Sequence, residues 1–133
     1  MRTWSLNRLF ALVIGIVFLL VGILGLLLDP TKGNLIGLFS VNIVHNLVHV
    51  LIGVLGIIAA FTGWPRYYNR GLGIVYLLVG ILGFIPALTP GGELLGVMDV
   101  NLADNILHLV VGAVAAYLGF FVRESAVRVS PTA

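Results

Sequence analysis

Four apolar runs, residues 6–28, 41–62, 68–88 and 100–122, follow one another with short breaks between them. A helix rises about 1.5 Å per residue, so each run has roughly the reach of a hydrocarbon core. The breaks carry helix-stopping chemistry: Asp29-Pro30 with Gly33, then Trp64-Pro65, then Thr89-Pro90-Gly91-Gly92. Backbone groups in lipid must bond within their own segment, which favours helices, and the absence of strand alternation argues against a barrel. The chain is 60% hydrophobic and only 9% charged. Soluble domains carry roughly a quarter charged residues, so lipid is the expected solvent. The first run has a basic start, but at residues 9–28 it is longer than a signal core of about 7–15 residues and is read as a retained span.

Charge sets the expected orientation. Arg2, Arg8, Arg66, Arg70, Arg123 and Arg128 fall on one side of a four-pass chain; Lys32, Asp29, Glu93 and Asp99 fall on the other. The positive-inside rule then places both termini and the central loop in the cytoplasm, as expected of a multi-pass protein of the plasma (inner) membrane. Trp4, Trp64, Tyr67 and Tyr68 sit where an interfacial aromatic belt is expected. The basic balance is a topology signal, and no nucleic-acid patch is visible. Ser40 is the expected N-cap of the second helix. Two short apolar pieces, 35–39 and 94–98, are expected to rest at the opposite interface, and the tail 123–133 is short and polar.

The chain contains its own echo. GIVFLLVGILG at 15–25 matches GIVYLLVGILG at 73–83, and NIVHNLVHVLIG at 42–53 matches NLADNILHLVVG at 101–112. The expected fold class is all-α integral membrane: a four-transmembrane-helix bundle built from two parallel two-helix repeats, 6–62 and 66–122, in one membrane domain. Parallel repeats imply a pseudo-two-fold axis along the membrane normal. Gly15, Gly22, Gly25, Gly73, Gly80 and Gly83, with Gly53, Gly56 and Gly112, are read as close-packing positions, Gly56/Ala60 and Gly112/Ala116 having small-xxx-small spacing.

Helical period places Asn42, His45, Asn46 and His49 on one face of the second helix. Asn101, Asp104, Asn105 and His108 share the matching face of the fourth. Polar groups facing lipid are costly, so both faces should turn inward, with His49 meeting His108, Asn46 meeting Asn105 and His45 meeting Asp104. Four roles are open to them. As interhelical glue they would hold the core of a non-enzymatic structural or accessory subunit, or of a homo-oligomer in a larger membrane complex. As axial ligands, His49 and His108 could hold haem b or another tetrapyrrole. His45, His49, Asp104 and His108 could ligate a metal ion. His45 and Asp104 could pass protons or small solutes, although the other half of each helix is wholly apolar. There is no cysteine, and no serine stands beside a histidine in a hydrolase motif.

The N-x-x-H-N-x-x-H face, its N-x-x-D-N-x-x-H echo, the arginine near the first span and the glycine-rich first and third helices carry a resemblance. Over residues 5–122 the chain resembles a family of small bacterial membrane proteins catalogued as domain of unknown function 4383. The resemblance implies a four-span bacterial membrane protein and no assigned activity.

Overall fold

The computed structural model describes residues 4–124; Arg2, Arg128 and nearly all of the tail 123–133 lie outside the described residues. Within them the chain is mostly helical: α1 (Leu6–Leu28), α2 (Ile43–Phe61), α3 (Pro65–Leu82) and α4 (Leu102–Phe121). Three of the four, α1, α2 and α4, are long and apolar enough to cross a membrane. The third falls short because its opening turns carry Arg66, Asn69 and Arg70. It also ends at Leu82, six residues before the end of the apolar run, where Gly83 and two short 3-10 turns, Pro86–Leu88 and Pro90–Gly92, replace the helix.

Local chemistry explains each start. Ser5 caps α1 by accepting from the Arg8 amide, and Pro65 occupies the first position of α3, where a missing N–H costs nothing. The cap of α2 is Asn42, not Ser40: its Oδ1 accepts from the His45 amide at 3.0 Å. Asn101 does the same for α4, and Asp104 completes a capping box by accepting from the Asn101 amide at 2.9 Å.

Ser40 is displaced from the cap because the segments before α2 and α4 form hairpins. β1 (Lys32–Leu35) pairs antiparallel with β2 (Phe39–Asn42), and β3 (Glu93–Leu94) with β4 (Met98–Asp99). The apolar pieces at 35–39 and 94–98 are the tips of these hairpins. Each turn holds two successive residues at positive φ, Ile36 (50°) and Gly37 (70°), then Leu95 (53°) and Gly96 (72°). Three residues, 36–38 and 95–97, join the paired strands, and the left-handed pair in each lets so short a loop reverse the chain, at a cost of about 1–2 kcal/mol for each non-glycine residue in that region.

Packing falls into two antiparallel pairs, α1 with α2 and α3 with α4. Glycine brings each pair together. A Cβ on Gly15 would stand 2.8 Å from the Ile57 amide nitrogen, and one on Gly112 would stand 2.7 Å from that of Leu77. One on Gly53 would press into the Leu19 backbone. By contrast α2 and α4 scarcely touch through their backbones, and side chains fill the interval between them. Below the polar faces, toward the end that holds the α1 start and the α4 finish, Phe18, Leu72, Tyr76, Val111 and Ala115 form an apolar cluster.

Overpacking at a backbone contact costs about 1–3 kcal/mol. Gly53→Ala is expected to lower stability by that amount in a reversible unfolding titration in bicelles. Gly71→Ala, with nothing within 4 Å, should be neutral or slightly stabilising. Equal stabilities for the two variants would refute the close α1/α2 contact.

Candidate functional site

The polar faces point inward. His45, Asn46, His49, Asp104, Asn105 and His108 are all buried, none more than 4% exposed. Their partners, however, differ from a simple meeting of equivalent residues. Asn46 turns toward Gly25 of α1 and donates to the Asp29 carbonyl at 3.2 Å, while Asn105 turns toward Gly83 of α3. Each amide therefore occupies the space its own helix pair leaves at a glycine, and the two do not hydrogen-bond to each other.

His45 and Asp104 do not form a pair. His45 Nδ1 lies 2.7 Å from the Asp99 carbonyl oxygen, and Asp104 Oδ2 accepts from the Ser40 amide at 3.0 Å. Both contacts reach from a helix of one half to the hairpin of the other. The capping asparagines do likewise: Asn42 donates through Nδ2 to the Val97 carbonyl and Asn101 to the Leu38 carbonyl, each at 2.8 Å. The asparagine that starts each helix also fastens the opposite hairpin.

Three imidazoles converge in the interval between α2 and α4. The His45 ring centroid is 4.6 Å from that of His49 and 5.8 Å from that of His108. One nitrogen from each of the three lies within 4.8 Å of the others. Phe18 stacks on His49 at 5.1 Å with the rings 4° from parallel, and Tyr76 meets His108 edge-on at 5.0 Å. Phe18 and Tyr76 touch each other at 5.4 Å and form a floor under the cluster. Asp104 is not part of this group: its oxygen is committed to two backbone amides.

This packing bears on the remaining roles. Two axial imidazoles on a haem need a flat slot between them for the macrocycle. Here His45 packs against both His49 and His108, Phe18 stacks on His49 and Tyr76 meets His108 edge-on, so side chains crowd the space around both imidazoles where a macrocycle would lie. A proton path through His45 and Asp104 would have to cross the Phe18–Leu72–Tyr76 cluster, which offers one hydroxyl and no continuous polar chain.

The opposite end carries polar contacts that helical periodicity did not single out. Asn7 and Asn69 are fully buried; Asn69 Nδ2 donates to Asn7 Oδ1 at 2.9 Å, and Asn7 donates to the Val122 carbonyl. Arg8 donates to the Thr62 carbonyl, and Arg66 and Arg70 to that of Gly119, so cations close the carbonyl ends of α2 and α4. Tyr68 turns inward to the Ile52 carbonyl instead of joining the exposed Trp4, Trp64 and Tyr67.

At the hairpin end, Lys32 sits 3.4 Å from the buried Asp99 carboxylate and 4.0 Å from Glu93. Lys32 and Asp99, with Ser40 and Gly92, border a cleft of about 230 Å³. No curated relative and no solved structure matches the chain. One family model does, described as Domain of unknown function (DUF4383), over residues 8–121. The match takes in both hairpins, α2, α3, α4 and all of α1 but its first two residues, and the chain belongs to this family.

Proposed function

We propose that the protein is a non-enzymatic, four-span module of the bacterial plasma membrane, built from two parallel repeats and fastened by its buried polar seams. The observation that carries this reading is the reciprocity of the cross-half contacts. Asn42 to Val97 and Asn101 to Leu38 join positions that are equivalent under one shift of register, as do His45 to Asp99 and Asp104 to Ser40. Two hairpins that reach each other's helices in the same way support a pseudo-two-fold relation along the membrane normal.

Packing supports a fourth span. α3 runs antiparallel to α4, from Arg66 against Gly119 to Gly83 against Asn105. A crossing by α4 therefore carries α3 with it, the arginines of α3 lying at the headgroup level. Arg8, Arg66 and Arg70 gather at one end and Asp29, Glu93 and Asp99 at the other, which supports cytoplasmic termini. The outer helix faces expose aliphatic side chains such as Leu20, Leu51, Leu78 and Val110, surfaces suited to lipid or to another membrane subunit.

The fastening role has its own test. Asn101→Ser keeps a cap acceptor but is too short to reach Leu38. It is expected to cost about 0.6–1.7 kcal/mol, the range of one interhelical bond. Asn101→Ala loses the cap as well and should cost about 1 kcal/mol more. Wild-type stability in Asn101→Ser would remove the cross-half bond from the account.

Orientation can be read from single cysteines, because the chain has none of its own. On intact cells, a membrane-impermeant maleimide is expected to label Asn34→Cys and Gly92→Cys but not Gly63→Cys. Labelling of only one of the two hairpins would contradict parallel insertion.

A further inference from the structure

The three-histidine cluster contains more hydrogen-bonding capacity than its surroundings satisfy. His45 Nε2, both nitrogens of His49 and Nδ1 of His108 are buried without a partner. The Tyr76 hydroxyl beside them is in the same condition. A buried polar atom left unpaired costs about 1–3 kcal/mol, so five of them in one place call for a ligand that all can address.

The tautomer of His45 says what kind. A carbonyl oxygen only accepts, so the 2.7 Å contact with Asp99 places the ring proton on Nδ1. Nε2 is then a bare lone pair aimed into the cluster. An imidazole held by a backbone carbonyl through one nitrogen and open at the other is the outer-shell arrangement typical of metal-bound histidine. His49, with two free nitrogens, and His108, with Nδ1, complete a set of three neutral nitrogen donors.

We propose that His45, His49 and His108 form a buried binding site for a divalent first-row transition ion of the zinc class. His45 binds through Nε2, and His49 and His108 through one nitrogen each. Three imidazoles without thiolate suit zinc and its neighbours better than magnesium or calcium, which take oxygen ligands. Zinc–nitrogen bonds of about 2.0–2.1 Å put tetrahedral donors about 3.4 Å apart. The donors lie within 4.8 Å of one another, so modest ring rotations bring them onto one ion. Three protein ligands leave a fourth position open to water. The Tyr76 hydroxyl, unpartnered against His108, is available to bond such a water. The buried Asp99 carboxylate, on the residue whose carbonyl holds His45, supplies nearby negative charge, and Asp99 also borders the cleft at the hairpin end, so it is the residue that separates that cleft from His45.

The site deepens the proposed function, because an ion between α2 and α4 would join the two repeats. It does not depend on membrane orientation, which the cysteine labelling tests separately. The full chain, carrying a tag without histidine, is purified in mild detergent, stripped with a chelator and titrated with Zn²⁺ and with Co²⁺. An equimolar uptake is expected, with the strong visible bands of tetrahedral Co²⁺. His45→Ala, His49→Ala and His108→Ala should each weaken binding by more than the about 10–100-fold that follows loss of an outer-shell partner. Asp104→Asn should retain both stoichiometry and spectrum, which separates loss of a ligand from loss of the fold. Wild-type protein that takes up neither ion stoichiometrically, or a Co²⁺ spectrum unchanged in His49→Ala, overturns the proposal.

Discussion

A polar side chain in hydrocarbon costs several kcal/mol unless a neighbour bonds it, and in the proposed membrane setting that penalty decides which helix faces of this chain can meet. Apolar attraction between helices is weak in lipid, where a leucine is as well solvated outside as inside. The seams of asparagine, histidine and aspartate therefore supply what a hydrophobic core supplies in water. Asn42 and Asn101 each serve twice, capping a helix with the oxygen and fastening the opposite hairpin with the amide nitrogen. Asn7 and Asn69 lock the other end. Between them the imidazoles and their aromatic floor occupy the middle.

Two packing regimes follow from this division. Within each helix pair, glycines bring backbones into direct contact and leave no space for a ligand. Between α2 and α4 the backbones stand apart, and rings of substantial size fill the interval. Among the described residues, the unpaired imidazole nitrogens are found in the second place. The two halves are also chemically unequal. Where one half has His45 the other has Asp104, and where one has Phe18 the other has Tyr76. The first difference adds a third imidazole to the pair that the repeat would provide; the second adds the only hydroxyl in the floor.

Much of the framework can be read directly from the residues. The bounds of α1 coincide with its apolar run, and period alone points to the buried side of His45, Asn46 and His49 in α2 and of Asp104, Asn105 and His108 in α4, while Asn42 and half-buried Asn101 serve as the caps. The family follows from the same motifs. What escaped was set by tertiary geometry. Ser40 has the right chemistry for a cap, but hairpin pairing draws it into a strand and passes the role to Asn42. His45 and Asp104 occupy equivalent positions, so symmetry suggested that they meet; yet each reaches along its helix to the other half's hairpin backbone, which periodicity cannot indicate. Apolar composition continues past Leu82, but Gly83 and Pro86 end the helix. Asn7 and Asn69 belong to no repeat and carried no pattern to notice.

The account stands on the two halves facing each other across the histidines. Those three are the only histidines in the chain, so histidine-selective ¹³C,¹⁵N labelling gives an unambiguous probe. Solid-state NMR of the protein in lipid bilayers should show ring-to-ring correlations of His45 with both His49 and His108. A His108 ring correlated with neither, or correlated only between differently labelled copies of the chain, would contradict the facing seams.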